Sequence, residues 1–147
     1  MKETISKSID DTAQFAQEFL VGLSPRLSLG QATVVGLYGD LGSGKTSFVQ
    51  QVAKILGVHG SVQSPTFVII KNYKLKIKNF DTLVHIDAYR LDNGEDLKKL
   101  GWDALVGDSK NLILIEWADR VSDILLPAHA KLYFEFVDDT TRKIALE

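Results

Sequence analysis

The chain has 147 residues, 45% of them hydrophobic and 24% charged, and a formal net charge of −2, which is typical of one globular domain with a single core. The absence of cysteine excludes disulfides, thiolate metal sites and cysteine nucleophiles, and the near-balanced charge argues against nucleic-acid binding by a global basic field. The sequence has no apolar signal segment and no 18-residue apolar run, so we expect a cytoplasmic domain, residues 1–147, without a membrane span.

The first third of the chain predicts a helix, a strand and a second helix. Ser8 and Asp11, at the start of SIDDTAQFAQEFLVGL, match a capping box. The face of this helix expected to pack in the core consists of Ile9, Ala13, Ala16, Phe19, Leu20 and Leu23. TVVGLY, residues 33–38, predicts a strand, and helical spacing resumes at Lys45 and should stop at Gly57.

The remainder predicts two hairpins around a buried strand. SPTFVIIKNYKLKI and TLVHIDAYRL are β-rich runs separated by KNFD, which indicates a long antiparallel hairpin. NGEDLKKLGW and DRVSDILLP predict short helices, and NLILIEWA, residues 111–118, predicts a strand covered on both faces. KLYFEFV and RKIALE flank DDTT as a closing hairpin. The predicted fold is α/β, a mixed sheet with helices on both faces, because a strand–loop–helix unit needs parallel partners.

GDLGSGKTS, residues 39–47, lies between the first predicted strand and the second helix and fits G-x-x-x-x-G-K-[ST]. Glycines let successive backbone N–H groups face phosphate oxygens, and the helix adds its N-terminal partial positive charge. Lys45 would reach the terminal phosphates, and the Thr46 hydroxyl would bind Mg²⁺. A glycine turn beside a surface lysine is the alternative, and the flanking strand and helix argue against it.

Two carboxylates stand where predicted strands end, Asp87 in LVHIDAYR and Glu116 in LILIEW. Mg²⁺ beside a phosphate loop needs a further oxygen ligand, and the end of a buried strand places one at the rim where phosphates bind. Spacing leaves open which carboxylate binds the metal and which orders the attacking water. Thr66 in SPTF is a candidate γ-phosphate sensor, and a turn threonine that starts a strand is the alternative.

The neighbours of these carboxylates are candidates for supporting roles in the site. Trp117 follows Glu116 directly, so strand alternation should point it to the opposite face and into the core, with nucleotide or partner contact as the alternative. His85 should share a face with Asp87 and orient the site by a hydrogen bond. Arg90 and Arg120 are candidates for an arginine finger in cis, and pairing with the nearby Asp92 and Asp123 is the alternative.

KNYKLKIK alternates Lys74, Lys76 and Lys78 with apolar or aromatic residues. A solvated edge strand explains this pattern, because lysines discourage edge-to-edge pairing. Contact with tRNA or with an acidic partner is the alternative.

The ordered set GDLGSGKTSF, SPTFVIIKNY, HIDAYRL and LILIEWADR resembles the bacterial TsaE family, also called YjeE, over nearly the whole chain. HIDAYR and IEWADR are more specific than the loop, which many unrelated NTPases share. Ser43 and Ser47 stand where the family pattern has alanine and threonine, and neither change removes a needed group. The resemblance implies a P-loop ATPase that uses ATP and Mg²⁺.

The resemblance also implies a role in making threonylcarbamoyladenosine beside the tRNA anticodon. The protein would dock on a TsaD–TsaB assembly and reset it by hydrolysing ATP, touching tRNA indirectly or at the edge of the complex. Carried over by position, the phosphate-binding residues are Gly39, Asp40, Leu41, Gly42, Ser43, Gly44, Lys45, Thr46 and Ser47. Thr46 and Glu116 would hold Mg²⁺, and Thr12 would lie near the nucleoside. Asp87, Lys45 and Thr66 would serve hydrolysis or switching.

Two other functions use the same kind of loop. A small-molecule kinase needs an acceptor pocket and usually an arginine-bearing lid, and the sequence has no long lid insert. A GTP-dependent switch would carry an NKxD string, which is absent after the loop. We therefore expect slow ATP hydrolysis that docking accelerates, with a kinase or a nucleotide-dependent binding switch as the alternatives.

Overall fold

The computed structural model describes residues 2–23, 30–60, 62–63 and 68–147. Within these ranges seven strands form one sheet in the order β1-β7-β6-β2-β5-β4-β3. The strands are β1 (Lys2–Ser6), β2 (Thr33–Tyr38), β3 (Ile70–Lys74), β4 (Thr82–Asp87), β5 (Asn111–Glu116), β6 (Ala130–Asp138) and β7 (Thr141–Leu146). The central strands β6, β2, β5 and β4 run parallel, and β1, β7 and β3 pair antiparallel at the two sides.

The helices cover both faces of this sheet. They are α1 (Ile9–Val21), α2 (Lys45–Ile55), α3 (Gly94–Lys98), α4 (Trp102–Val106) and a 3-10 helix (Ala118–Ile124). Phe15, Phe19 and Phe48 of α1 and α2 belong to one buried cluster, and Leu97 and Trp102 of α3 and α4 belong to a second. The predicted α/β class with a mixed sheet, two hairpins and helices on both faces is therefore confirmed. Among the helices that the structure describes, none has the length and apolar character needed to cross a membrane.

Helix α1 begins where its sequence predicts and buries most of the predicted face. The Ser8 hydroxyl accepts from the Asp11 amide (3.1 Å), whereas the Asp11 carboxylate accepts from the Lys7 amide (2.9 Å) instead of closing the capping box. Ala16 and Phe19 are buried as expected, whereas Ile9 is 55% exposed, and Thr12 and Phe15 are buried in addition. Phe15 and Phe19 pack against Phe48 of α2, with both ring-centroid distances at 5.9 Å.

Other predicted elements appear with shifted bounds. Helix α2 ends before Gly57, which has the left-handed φ of +86° expected at a helix C-terminus. The central hairpin is shorter than predicted, since β3 ends at Lys74 and the buried Leu75 follows it. Strand β1 and helix α4 were not predicted. β1 has mostly exposed side chains and little apolar periodicity, and it exists because its backbone pairs with β7.

Candidate functional site

The site lies at the carboxyl ends of three parallel neighbours, β2, β5 and β4. The loop of residues 39–44 leaves β2, Glu116 ends β5 and Asp87 ends β4. Asp87 and Glu116 are register partners on adjacent strands, so their side chains emerge side by side, since neighbouring strands lie about 4.8 Å apart. Both are buried, with 4% and 3% exposure. The parallel strand order therefore brings the loop and the two carboxylates together, as predicted.

The conformation of the loop requires glycine at two positions. Gly39 has φ +147°, and a Cβ on it would collide with the carbonyl oxygen of Phe134. Gly44 has φ +105° and precedes the first turn of α2. In the described part of the chain, the amides of Gly44, Lys45 and Thr46 find no backbone acceptor. These N–H groups at a helix N-terminus form a site for an anion.

Lys45 is folded back onto its own loop. Its ammonium donates to the carbonyl oxygens of Gly39 and Asp40, the latter at 2.9 Å, and to the Ser43 hydroxyl at 3.4 Å. It also lies 4.2 Å from the centroid of the Trp117 ring. With the residue only 4% exposed, burial lowers the pKa of Lys45, against the raising effects of Glu116 and Asp40. The loop thus holds a largely desolvated cation in position.

Glu116 connects the loop to β4. The Thr46 hydroxyl donates to Glu116 Oε1 at 2.7 Å, and His85 Nε2 lies 2.5 Å from Glu116 Oε2. Because a carboxylate accepts hydrogen bonds, the imidazole carries its hydrogen on Nε2. Its Nδ1 is buried and has no partner among the described residues. The orienting hydrogen bond expected of His85 exists, and its partner is Glu116.

Asp87 occupies a different environment from Glu116. Its Oδ1 accepts from the Tyr89 amide at 3.0 Å, and its own amide donates to the Ile69 carbonyl at 2.8 Å. Ile69 has φ +67°, a strained conformation for a β-branched residue. Asp87 is therefore fixed by backbone contacts beside the Thr46–Glu116 pair.

Trp117 packs against the second buried cluster, as predicted, and also lines the cleft. Strand β5 ends at Glu116, and Trp117 has a left-handed φ of +57°, which breaks strand alternation. Its half-buried ring therefore also lies over Lys45. Tyr89 packs on the same ring, with centroids 5.1 Å apart. Core packing and the alternative, contact with a bound nucleotide, are compatible at this position.

The guanidinium of Arg120 lies 5.3 Å from the Tyr89 ring centroid and 5.9 Å from that of Trp117. It stacks at the edge of the site, among the aromatic side chains. No salt bridge between Arg120 and Asp123 is found in the described part of the chain.

Arg142 of β7 reaches the loop from the opposite side of the cleft. Its Nε donates to the Gly42 carbonyl at 3.0 Å, and Nη1 donates to the carbonyls of Asp138 (2.5 Å) and Thr141 (3.0 Å). The guanidinium also lies 4.7 Å from the Phe136 ring centroid. The closing hairpin is thereby tied to a loop one hundred residues earlier. Arg142 was not predicted as a site residue, since no local sequence pattern signals a contact of this range.

A cleft of about 750 Å³ joins these groups. Of the predicted phosphate-binding residues, 41–47 line it, whereas Gly39 and Asp40 lie behind it with their carbonyls on Lys45. Thr12 also lines the cleft, and its hydroxyl lies 2.7 Å from that of Ser6. Further lining residues not anticipated from the sequence are Ser6, Lys7, Ser8, Phe134, Asp139, Thr140 and Ile144. Thr66, the predicted switch residue, falls outside the described residues.

The donor set fits Mg²⁺ bound together with phosphates. Among the described residues there is no group of three His, Cys, Asp or Glu side chains that could hold a metal by itself. Thr46 Oγ1 and Glu116 Oε1 instead offer two hard oxygens 2.7 Å apart. Mg²⁺ commonly takes one or two protein oxygens and completes its shell with phosphate and water. A separate all-protein metal cage is therefore unnecessary here.

Comparison with known proteins identifies the family. The family model for "Threonylcarbamoyl adenosine biosynthesis protein TsaE" matches residues 6–144. The tRNA threonylcarbamoyladenosine biosynthesis protein TsaE of Rickettsia bellii is 35% identical over 95% of this chain and 90% of its own length. The protein of the same name from Treponema pallidum is 34% identical, covering 97% of both chains.

A solved structure shows the same architecture. The crystal structure of Bacillus subtilis YdiB superposes with a TM-score of 0.75 at 26% identity, covering 99% of this chain and 83% of that chain. The shared fold agrees with the family match over nearly the full length. The chain therefore belongs to the TsaE family.

Proposed function

We propose that the chain binds ATP with Mg²⁺ in this cleft and hydrolyses it in the service of threonylcarbamoyladenosine modification of tRNA. The observation that carries the proposal is the 2.7 Å contact between Thr46 and Glu116 at the mouth of the loop. It brings a hydroxyl and a carboxylate to the position where a metal bound to a terminal phosphate needs them. Asp87, on the adjacent strand, supplies a second carboxylate beside this pair.

Phosphate binding rests on the loop and on Lys45. The amides of Gly44, Lys45 and Thr46 would donate to phosphate oxygens, in line with the partial positive charge of α2. Lys45 would exchange the carbonyls of Gly39 and Asp40 for phosphate oxygens. The phosphate would then pair with an ammonium that is already largely removed from water, and electrostatic attraction is stronger in such surroundings.

Thr46 and Glu116 would hold the metal, and His85 keeps the Glu116 carboxylate oriented toward Thr46. Bound Mg²⁺ supplies charge neutralisation at the terminal phosphates. A residue that hydrogen-bonds to a metal-binding side chain and fixes its orientation typically strengthens metal binding. His85 is buried where it can act only through Glu116, so we assign it a positioning role.

Asp87 would accept a hydrogen bond from the attacking water and orient it toward the terminal phosphate. The amide of Tyr89 fixes its carboxylate. Thr66 is proposed as the sensor of the γ-phosphate, and Thr12 as a neighbour of the nucleoside at the far end of the cleft. Trp117 and Tyr89 would cover the phosphates from the strand side.

The proposed output is the reset of a TsaD–TsaB assembly, with tRNA contacted indirectly or at the edge of the complex. The cleft is open and leaves Leu41 of the loop 84% exposed. A docked partner would exclude water from it, and exclusion of water strengthens the electrostatic contacts that stabilise the transition state. This arrangement supports slow hydrolysis by the isolated chain and faster hydrolysis in the assembly.

The experiment measures phosphate release from ATP and Mg²⁺ by the purified chain, alone and with the TsaD–TsaB assembly. We expect a low rate that rises at least about tenfold on docking. An isolated chain that turns over quickly and ignores the assembly would contradict the regulatory part. Failure of the folded chain to take up ATP in calorimetry would overturn the whole proposal, and a phosphorylated small molecule in place of free phosphate would show a kinase.

A further inference from the structure

A group of exposed lysines lies at the edge of the sheet that β3 forms. We define the lysine edge as Lys74, which ends β3, with Lys76 and Lys78, which follow it, all exposed. The chain as a whole has a net charge of −2. Removing these three positive charges from that total leaves −5 for all other residues. The lysine edge is therefore a concentrated positive region on an otherwise acidic molecule.

These lysines are not neutralised by neighbours. Within the described ranges, none of the three makes an ion pair. Lys143, by contrast, lies 3.4 Å from Glu3 and 4.0 Å from Glu135. β3 hydrogen-bonds to β4 on one side and has no strand partner on its other side among the described residues. The charges of the lysine edge are therefore available to an external anion.

A second cavity adjoins these charges. It has a volume of about 640 Å³ and lies between the end of α2 and the β3 turn. Lys74, Lys76, Asn72, Tyr73 and His59 line one part of it, and the rest of the lining is apolar, with Ile55, Leu56, Val58 and Ile77. Burial raises the pKa of Tyr73, so its phenol stays neutral at physiological pH. The cavity presents cations and aromatic rings next to each other.

The lysine edge and the phosphate loop are at opposite ends of the same elements. Lys74 pairs with Thr82 at the start of β4, whereas Asp87 ends β4 in the cleft. Helix α2 starts at the phosphate loop with Lys45 and ends at Ile55 beside the second cavity. Its 11 residues span about 16 Å at 1.5 Å per residue. A ligand on the lysine edge would therefore leave the cleft open.

We propose that the lysine edge and the adjoining cavity bind the phosphate backbone of RNA, and, on the basis of the function proposed above, of the tRNA substrate. Unpaired ammonium groups at alternate positions, at the end of β3 and just beyond it, suit successive phosphates, since each lysine acts as a separate point charge. Tyr73 and His59 line the adjoining cavity and offer aromatic rings for stacking with an unpaired base.

The test uses an unmodified tRNA transcript and the full chain, without ATP. The variant carries Lys74→Glu, Lys76→Glu and Lys78→Glu, and the matched control carries Lys2→Glu, Lys98→Glu and Lys99→Glu. All six lysines are exposed, and both triples change the net charge equally. Fluorescence anisotropy at 50 and 200 mM salt gives the affinity and its salt dependence. A second variant with glutamine at the same three edge positions removes charge without reversing it.

We expect the wild type to bind and the edge variant to lose at least about tenfold in affinity at low salt. The slope of log affinity against log salt should fall by about three, one for each lost phosphate contact. The control should keep most of its affinity, and the glutamine variant should be intermediate. ATP binding by all variants, measured separately, checks that they are folded.

Three outcomes would overturn this inference. The wild type fails to bind the transcript at 50 mM salt, the two glutamate triples lose affinity equally, or the edge variant keeps tRNA while losing capture by the TsaD–TsaB assembly. The last would identify an acidic protein surface as the occupant. Because tRNA binding is measured without nucleotide, failure of ATP hydrolysis would overturn the proposed function and leave this test intact.

Discussion

The two ends of α2 carry lysines of opposite character. At its start, Lys45 is 4% exposed, lies on loop carbonyls and contacts the face of Trp117. At its end, Lys54 is solvated and unpaired within the described ranges, and so are the lysines of the lysine edge. The same side chain therefore serves as a positioned, desolvated charge at one end and as part of a diffuse positive surface at the other.

This contrast teaches what burial does to a charge. A desolvated ammonium interacts strongly with a nearby anion, because little water screens it. A single exposed ammonium group contributes little to anion binding. Several together contribute more, and added salt weakens their combined effect. We expect single substitutions to have large effects at the first end and small effects at the second.

The largest effect is expected for Lys45→Ala. Removing the buried ammonium should lower the rate of ATP hydrolysis by about a hundredfold to a thousandfold and weaken ATP binding, because a positioned charge of this kind contributes about 3–4 kcal/mol to the transition state. Steady-state kinetics and calorimetry measure the two effects. Lys54→Ala, in the same helix, is the matched control and should leave both within about twofold. Equal losses in the two variants would remove the distinction between the ends.

The next largest effects, about a hundredfold each, are expected for the two carboxylates, and each should change a different quantity. Glu116→Gln removes one oxygen charge from the pair with Thr46, so it should weaken Mg²⁺-dependent ATP binding. Asp87→Asn should lower the hydrolysis rate while leaving binding of ATP with Mg²⁺ within about threefold, since its proposed contact is with water.

Calorimetry at varied Mg²⁺, together with phosphate release, separates these effects. Glu135→Gln on β6, an exposed carboxylate, is the control. The reverse pattern, with weakened binding in the Asp87 variant alone, would exchange the two roles.

A moderate effect is expected for Arg142→Ala. Losing the bond from Arg142 Nε to the Gly42 carbonyl at 3.0 Å should loosen the loop and weaken ATP binding by about tenfold, since a charged hydrogen bond contributes about 1.5 kcal/mol. Lys143→Ala is the control, because Lys143 is adjacent in β7 and pairs with Glu3 and Glu135 instead. Unchanged affinity in the Arg142 variant would mean that the hairpin does not position the loop.

The smallest effect concerns stability without nucleotide. Burial lowers the pKa of Lys45 from its ordinary value of 10.5, so the unfolded chain binds this proton more strongly than the folded chain. Stability should therefore rise with pH as the pH passes from the lowered pKa toward 10.5. Lys45→Met should raise the free energy of unfolding at neutral pH by about 1 kcal/mol and flatten this dependence. Urea unfolding at several pH values measures both, and a less stable Lys45→Met variant would contradict the prediction.

Short-range patterns were sufficient to predict most of the elements. TVVGLY, the glycine loop and the following helix are encoded in adjacent residues, and the structure places strand, loop and helix there. Ser8 and Gly57 mark helix ends for the same reason, since capping depends on residues within one turn. Asp87 and Glu116 were predictable as neighbours, because parallel strands end at the same edge of a sheet.

Contacts between distant segments were not predictable in this way. Strand β1 depends on pairing with β7, and Arg142 meets Gly42 across one hundred residues. The packing of Trp117 on the core was predicted, but its contact with Lys45 was not, since a single left-handed residue redirects the chain after β5. The burial of Phe15 in α1 depends on aromatic packing with Phe48, which periodicity within α1 does not contain.

The sequence by itself determined the glycine loop of residues 39–44, the two strand-end carboxylates and the α/β class, because local hydrogen bonding and side-chain periodicity specify them. Only the tertiary structure decided that Glu116 receives both Thr46 and His85 and that the closing hairpin holds the loop. It also decided that Lys45 lies beneath Trp117. These contacts join segments far apart in the chain, and they form only when the sheet and its two hydrophobic clusters pack together.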